Sequence, residues 1–166
     1  TTRERTKMSI EKAREYFRQF GIEDRIQEFN VSSATVELAA KAVGTAPERI
    51  SKTLSFKVGD GCILVLCAGD ARIDNKKFKT QFGTKAKMPT PEEVLELVGH
   101  PVGGVCPFGI NPGVKVYLDE SMRRFDTVFP TAGSSNSAIE LSLDELFKYS
   151  GAACWVDVCK LPESEN

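Results

Sequence analysis

The stretch Ser51-Lys52-Thr53-Leu54-Ser55-Phe56-Lys57-Val58-Gly59-Asp60-Gly61-Cys62-Ile63-Leu64-Val65-Leu66-Cys67-Ala68 carries the clearest secondary-structure pattern of the chain. Apolar and polar residues alternate over 51–58, which predicts a strand with one buried face. A second apolar run covers 62–68, and the Gly-Asp-Gly between the two runs is typical of a hairpin turn. The sequence therefore predicts an antiparallel hairpin with Lys52 at its open end.

Lys52 falls on the same face of the first predicted strand as Leu54, Phe56 and Val58. An ammonium group in that position must reach solvent on its long stem, pair with a carboxylate, or enter a pocket where an anionic ligand neutralises it. Two interpretations stay open. Lys52 either extends to the surface at the strand end or faces a ligand inside a cleft.

A second unusual segment runs from Gly99 to Gly113, where glycine and proline occupy eight of fifteen positions. Glycines allow positive φ and close approach of a ligand to peptide N–H groups, while the prolines stiffen the path between them. The segment is either a rigid ligand cradle or an ordinary connector.

The remaining elements follow from apolar periodicity and capping residues. The pattern predicts helices at 9–20 with Ser9 as N-cap, at 35–43 after Ser33 or Thr35, at 74–82, after Thr90-Pro91 to Gly99, and after Ser142. It also predicts a capping box at 45–48, and strands near 25–30, 114–118, 127–130, 137–141 and 154–158. Regular βαβ alternation is missing, so we expect an α+β fold with a curved sheet that is mixed or mostly antiparallel.

Length and composition predict one domain. The chain has 166 residues, 41% hydrophobic and 27% charged, which suffices for one core. We expect the domain to span 9–160, with flexible tails at 1–8 and 161–166.

The overall charge restricts the kinds of partner. A net charge of −1 disfavours binding of duplex DNA by bulk electrostatics, so a nucleic-acid ligand requires a local basic patch. The segment 72–87 has the composition of such a basic patch. The alternative interpretation is that these charges form the solvated face of a helix. The basic residues of this patch are Arg72, Lys76, Lys77, Lys79, Lys85 and Lys87.

The five cysteines form no C-x-x-C pair, and His100 is the single histidine. We therefore expect no metal site and no cofactor, and we expect most of the thiols to be buried in strands, as suits a reducing cytoplasm. No apolar run approaches the roughly 20 residues of a membrane span, so no membrane partner is expected.

Five segments in one order resemble a known family. They are Thr35-Val36-Glu37-Leu38-Ala39-Ala40-Lys41-Ala42-Val43-Gly44, Ile50-Ser51-Lys52-Thr53-Leu54, Gly99-His100 with Gly103-Gly104-Val105-Cys106-Pro107-Phe108-Gly109, Val116-Tyr117-Leu118-Asp119-Glu120-Ser121, and Ala132-Gly133. Together they are similar to the YbaK/ProX family of aminoacyl-tRNA editing domains, which also occurs as an insertion in some prolyl-tRNA synthetases. The chain departs from that pattern at Cys106, where many relatives carry serine.

The resemblance implies a partly closed barrel with helices packed outside and a trans-editing hydrolase that deacylates mischarged tRNA, most simply Ala- or Cys-tRNA for proline. It implies a catalytic role for Lys52, which would orient the ester or bind the terminal phosphate. The substrate would contact the loop residues Gly103, Gly104, Val105, Cys106, Pro107, Phe108 and Gly109, and also Thr35, Asp119, Gly133 and Asn136.

Several of these assignments have structural alternatives. Asp119 is placed either to bind the substrate ammonium or hold Lys52, or to cap a helix, and Thr35 suits both a helix cap and a substrate contact. The segment 133–136 forms either the far wall of the pocket or a plain turn. A nucleophilic Cys106 would need Lys52 or His100 beside it to form a thiolate.

Two other functions compete with hydrolysis. A non-catalytic module that binds tRNA or a nucleotide, or docks on an aminoacyl-tRNA synthetase, would use the same pocket without turnover. A cysteine-based redox protein is disfavoured because the chain has no C-x-x-C.

Overall fold

The computed structural model describes residues 2–29 and 35–162. The α-helices of these ranges are α1 (Thr2–Arg18), α2 (Val36–Val43), α3 (Asn75–Phe82), α4 (Pro91–Val98) and α5 (Leu143–Ser150). The strands are β1 (Ile26–Glu28), β2 (Ile50–Val58), β3 (Gly61–Ala68), β4 (Arg72–Ile73), β5 (Lys115–Asp119), β6 (Thr127–Pro130), β7 (Ser137–Ile139), β8 (Leu141–Ser142), β9 (Cys154–Val156) and β10 (Cys159–Lys160). Short 3-10 helices occupy Glu23–Arg25, Pro47–Arg49 and Glu120–Arg124.

The predicted hairpin is the centre of the main sheet. β2 and β3 pair antiparallel from Val58 opposite Gly61 to Ser51 opposite Ala68, which confirms that Lys52 lies at the open end, opposite Cys67. The short turn between β2 and β3 and the alternation of apolar and polar residues in β2 together fix the pairing register. A shift by one residue would turn the apolar side chains of β2 towards solvent.

The sheet has the order β8-β6-β2-β3-β5-β9 and curves into a half-barrel. β2 pairs parallel with β6, and β5 pairs parallel with both β3 and β9, while β2/β3 and β6/β8 are antiparallel. The α+β prediction is confirmed, and of its two sheet alternatives the mixed one is correct. Crossovers through α3, α4 and α5 make the parallel pairs possible.

The core lies on both faces of β3, whose residues from Cys62 to Ala68 are all buried. Phe17 of α1, Phe78 of α3 and Leu146 of α5 pack around it and are fully buried. A smaller apolar cluster joins α2 to the start of β2 and to β6, and comprises Ala39, Ala40, Ile50 and Phe129. This cluster holds α2 beside the open end of the hairpin.

Local capping chemistry sets most helix boundaries as predicted. Thr90 and Ser142 each form a reciprocal capping box, with Glu93 and Glu145 respectively. Asp74 caps α3 through the N–H groups of Lys76 and Lys77. These side chains satisfy N–H groups that a helix start leaves without an intrahelical partner.

Three local predictions are wrong. α1 begins at Thr2 rather than Ser9, because the polar segment before Ser9 continues the helix and the Ser9 hydroxyl has a buried tertiary partner instead of a capping role. The expected strand 137–141 is two strands, β7 paired with β1 and β8 paired with β6, with exposed Glu140 between them. The predicted capping box at 45–48 does not form, because Ala46 precedes the 3-10 helix there without a side-chain cap.

Within the described ranges, the helices are all too short or too polar to traverse a bilayer.

Candidate functional site

A cleft of about 440 Å³ opens at the end of the hairpin where Lys52 lies. The start of α2, the first half of β2, the segment before α4 and the glycine-rich loop form its walls. Its lining residues are Thr35, Val36, Ala39, Ile50, Ser51, Lys52, Thr53, Leu54, Ser55, Met88, Pro89, Val94, Val102, Gly103, Val105, Thr131 and Ser135. The structure thus brings together four predicted site residues: Thr35, Lys52, Gly103 and Val105.

The Lys52 ammonium is held by two backbone carbonyl groups. Its Nζ donates to the carbonyl oxygen of Ala71 at 2.5 Å and to that of Gly69 at 3.4 Å. Within the described chain, no carboxylate lies within ion-pair distance of this nitrogen. An ammonium has three N–H donors, so one remains for a ligand. The side chain therefore presents a fixed positive charge at the cleft.

The sequence did not predict that the carbonyl groups of Gly69 and Ala71 hold Lys52. A Cβ added to Gly69 would overlap the carbonyl oxygen of Pro47 and lie 2.6 Å from Cγ1 of Val36, so only glycine fits. The available signal was the turn at Gly69-Asp70, which follows β3 directly at the same hairpin end as Lys52.

In the first half of the glycine-rich loop, Gly103 and Val105 line the cleft, whereas Gly104 does not. The N–H of Gly104 already donates to the carbonyl oxygen of Pro101 at 2.9 Å. For the N–H groups of Gly103 and Val105, the described residues supply no acceptor. Gly103 has φ of 94°, which favours glycine. Two residues that line the same cleft as Lys52 therefore have N–H groups without an acceptor in the described residues.

The second half of the loop turns into the core, which corrects its assignment to the substrate. Cys106, Pro107 and Phe108 are buried, and Phe108 packs on Phe17 of α1 with ring centroids 4.4 Å apart. Gly109 lies against α1, where an added Cβ would be 2.8 Å from the carbonyl oxygen of Lys12. None of these four residues lines the cleft, because the core takes up the Phe108 ring.

Cys106 and His100 are adjacent but sealed from solvent. Cys106 Sγ lies 3.7 Å from Nε2 of His100, which also contacts the carbonyl oxygen of Phe108 at 2.7 Å, and Nδ1 faces the Ser9 hydroxyl. Burial raises the pKa of the Cys106 thiol to about 12 and lowers the pKa of His100. The pair is therefore unsuited to thiolate catalysis and acts as a structural contact.

Asp119 has the capping role that was the alternative to substrate binding. Its Oδ2 accepts from the N–H of Ser121 at 2.9 Å, and its Oδ1 accepts from the N–H of Val158 at 2.8 Å. The carboxylate is buried and lies outside the cleft lining. Thr35 has the predicted capping role, since its hydroxyl accepts from the N–H of Leu38 at the start of α2, and the residue also lines the cleft.

The segment 133–136 contributes Ser135 to the cleft but neither Gly133 nor Asn136. The backbone of Gly133 packs against Ser9, and Asn136 Nδ2 donates to the carbonyl oxygen of Phe29 at 3.1 Å. These two residues brace the wall rather than form its surface, because their neighbours are α1 and the end of β1.

The six basic residues at 72–87 are all exposed. Lys77 donates to Asp157 Oδ1 and to the carbonyl oxygen of Cys159, both at 3.0 Å, and the carbonyl oxygen of Lys87 accepts from the N–H of Lys57 at 2.7 Å. Arg72 instead lines a second cavity beside Lys52. Across residues 8–29 and 35–162, no cluster of three histidine, cysteine or acidic side chains is arranged to bind a metal ion.

Comparison with known proteins gives this geometry its context. The model of the aminoacyl-tRNA editing domain matches residues 31–149, which include the whole cleft lining. The chain belongs to the aminoacyl-tRNA editing domain family. The resemblance predicted from the five segments is thereby confirmed.

Individual relatives of this editing domain fall into two groups. The uncharacterized protein YwhH of Bacillus subtilis (strain 168) is 53% identical over 154 residues, 92% of this chain and 98% of that protein. The proline–tRNA ligase of Thermotoga sp. (strain RQ2) is 36% identical over 90 residues, which are 54% of this chain but 15% of the ligase. The editing domain therefore resembles both a free-standing protein and a small part of a synthetase.

A solved structure extends the likeness to the backbone. The crystal structure of a proposed trans-editing enzyme for prolyl tRNA synthetase superimposes with a TM-score of 0.83 at 31% identity, covering 92% of this editing-domain chain and 97% of that one. The two chains share the fold along nearly their whole lengths.

Proposed function

We propose that the chain is a trans-acting deacylase that hydrolyses the ester between an amino acid and the terminal adenosine of a mischarged tRNA. One observation carries the proposal: the Lys52 ammonium, fixed by two carbonyl groups, shares a cleft with the backbone donors of Gly103 and Val105. Membership of the editing-domain family supports it.

The protein needs to supply little activation for this reaction, because the ester is already activated. A water oxygen attacks the carbonyl carbon, the bond to the ribose oxygen breaks, and the water proton ends on that ribose oxygen as the free amino acid leaves. Lys52 donates its third N–H to the ester or to the terminal phosphate, and Gly103 and Val105 donate to the developing oxyanion. The Lys52 ammonium is already held by two carbonyl groups before substrate binds, and a donor fixed in advance is the condition for efficient electrostatic stabilisation.

For the substrate we propose tRNA for proline carrying alanine or cysteine. The likeness to a part of proline–tRNA ligase and to a proposed trans-editing enzyme for prolyl tRNA synthetase supports this tRNA. Met88 and Val102 are exposed apolar side chains on the cleft wall, suited to contact a small aliphatic group or the terminal base. A single methylene changes binding by about 1–3 kcal/mol, so amino-acid selection rests on such close contacts.

The exposed basic residues between Arg72 and Lys87 would bind the tRNA backbone. Their charge is local, which reconciles nucleic-acid binding with the net charge of −1. Binding of this kind weakens as salt rises, because counterions are released from the RNA.

The test is single-turnover hydrolysis of Ala-, Cys-, Ser- and Pro-tRNA for proline by wild type, Lys52→Ala and Lys52→Arg. Lys115→Ala is the matched control, since Lys115 is exposed beside Ile63, near the turn end of the hairpin. We expect rapid loss of one mischarged species, a fall of at least about 100-fold for Lys52→Ala, and an unchanged control. Binding of tRNA without hydrolysis of any species would replace the proposal with the non-catalytic binding module.

A further inference from the structure

A second cavity, of about 730 Å³, lies next to the cleft and shares Lys52 and Val36 with it. The strand pair β4/β10 and the turn after β3 form most of its wall. Its lining residues are Val36, Glu37, Lys52, Gly69, Asp70, Ala71, Arg72, Lys160, Leu161 and Pro162. Lys160 to Pro162 lie beyond the segment that matches the family model.

Two cations face each other across this wall. Arg72 and Lys160 are register partners in the antiparallel pair β4/β10, and both side chains are exposed. Like charges directly opposite on neighbouring strands destabilise the pair. Neither side chain forms an ion pair with a carboxylate of the described residues. The arrangement is unfavourable in the free protein and becomes favourable when an anion lies between the two cations.

The acidic groups near the cavity do not cancel these charges. Asp70 is occupied by Arg124, whose two terminal nitrogens lie 2.6 and 3.1 Å from its carboxylate oxygens. Asp74 caps α3, and its pKa is lowered first by the N–H of Lys77, with a smaller contribution from the charge of Lys160. Glu37 is exposed in the first turn of α2. The cavity is therefore lined by three cations, which are Lys52, Arg72 and Lys160. Of its two carboxylates, only that of Glu37 has no basic partner in the described chain.

We propose that this second cavity binds a phosphate group of the RNA backbone between Arg72 and Lys160. The guanidinium offers paired N–H donors that match phosphate oxygens, and the ammonium adds a point charge. The proposal rests on the proposed function only in assigning the phosphate to the acceptor strand of tRNA. Because Lys52 separates the two cavities, a phosphate in one positions the terminal ester in the other.

The direct test is binding of a fluorescently labelled, uncharged single-stranded RNA ending in CCA, measured by anisotropy over a range of salt concentrations. The variants are Arg72→Gln, Lys160→Gln and their combination, with Lys115→Gln as the matched charge control. We expect each single variant to lower affinity about tenfold at low salt and to reduce the slope of log affinity against log salt by about 0.7. An affinity and slope equal to those of the control would overturn the proposal.

Two further measurements separate this proposal from its neighbours. Thermal unfolding without RNA should show an unchanged or slightly raised Tm in both single variants, because a like-charge pair has been removed. A large fall in Tm parallel to the loss of binding would assign the residues a structural role and overturn the proposal. Inorganic phosphate should displace the RNA only above millimolar concentrations, which would support an RNA backbone site. Binding of phosphate alone as tight as that of RNA would contradict the proposal.

Deacylation measurements distinguish failure of this inference from failure of the proposed function. With aminoacyl-tRNA, Arg72→Gln and Lys160→Gln should raise the half-saturating concentration and keep the rate at saturation, whereas Lys52→Ala should lower that rate. If no aminoacyl-tRNA is hydrolysed, the proposed function fails, while the RNA-binding results still decide the phosphate site.

Discussion

The hydroxyl oxygen of Ser9 lies 2.5 Å from Nδ1 of His100, and this buried contact joins helix α1 to the glycine-rich loop. Lys12 reinforces it by donating from Nζ to the carbonyl oxygen of Gly99 at 2.8 Å. The backbones of α1, Gly104 and Gly133 also approach so closely that added Cβ atoms would not fit. α1 therefore supports the loop, although none of its residues from Met8 to Arg18 lines the cleft.

Ser9→Ala removes the partner of a buried ring nitrogen. An unsatisfied buried polar group costs about 1–3 kcal/mol, so we expect the free energy of unfolding to fall by that amount in urea denaturation. Thr80→Ala, on the exposed face of α3, should change it by less than about 0.5 kcal/mol. Equal stability of the two variants would show that the Ser9 contact contributes little.

Protonation of His100 should make stability depend on pH. Burial lowers the pKa of His100 in the folded protein below its ordinary value of 6.5, so the unfolded chain binds this proton more readily. Stability from this group is therefore fully present above about pH 6.5 and declines as pH falls from there toward the folded pKa. Urea denaturation of wild type and His100→Asn between pH 5 and pH 8 (about the range in which histidine titrates) checks this. Parallel curves for the two proteins would contradict it.

Gly69→Ala should disturb both stability and the position of Lys52. The added methyl group would overlap the Pro47 carbonyl oxygen, and crowding of this kind costs about 1–3 kcal/mol. Gly61→Ala is the matched control, because its Cβ would meet no atom closer than 4.0 Å. We expect a lower Tm and slower deacylation for Gly69→Ala only. Normal deacylation in a destabilised Gly69→Ala would mean that the Gly69 carbonyl does not position the ammonium.

Thiol reactivity should separate the surface cysteine from the buried ones. Cys154 is exposed, whereas Cys106 is fully buried with a pKa raised to about 12. An aromatic disulfide reagent should therefore modify Cys154 rapidly in the folded protein and Cys106 only after unfolding. Cys106→Ser should keep the rate of deacylation. Rapid labelling of Cys106, or loss of activity in that variant, would restore a chemical role for the thiol.

The sequence predicts those features that depend on neighbouring residues. The hairpin of β2 and β3 follows from alternation around Gly59-Asp60-Gly61, and the starts of α4 and α5 follow from Thr90 and Ser142. The same local pattern predicts Lys52 at the open end of the hairpin and leaves Ser33 or Thr35 as the cap of α2. Thr35 is that cap, and Ser33 lies outside the described residues.

Features that depend on distant contacts were beyond local reasoning. The loop pattern alone does not reveal that Gly103 and Val105 face the cleft while Phe108 packs on Phe17, since α1 decides which half turns inward. The sequence around Asp119 likewise does not reveal that the N–H of Val158, in the connection between β9 and β10, donates to the second carboxylate oxygen.

The two sides of Lys52 are built from ladders of very different length. The cleft side rests on the eight register pairs of β2 and β3, whereas the Arg72 and Lys160 side rests on the two register pairs of β4 and β10. Short peripheral ladders open locally at a small fraction of the global unfolding free energy. Amide hydrogens of β4 and β10 should thus exchange with solvent well before those of the hairpin. A molecule that enters beside Lys52 would therefore contact a locally opening wall at β4 and β10 and a rigid wall at β2 and β3.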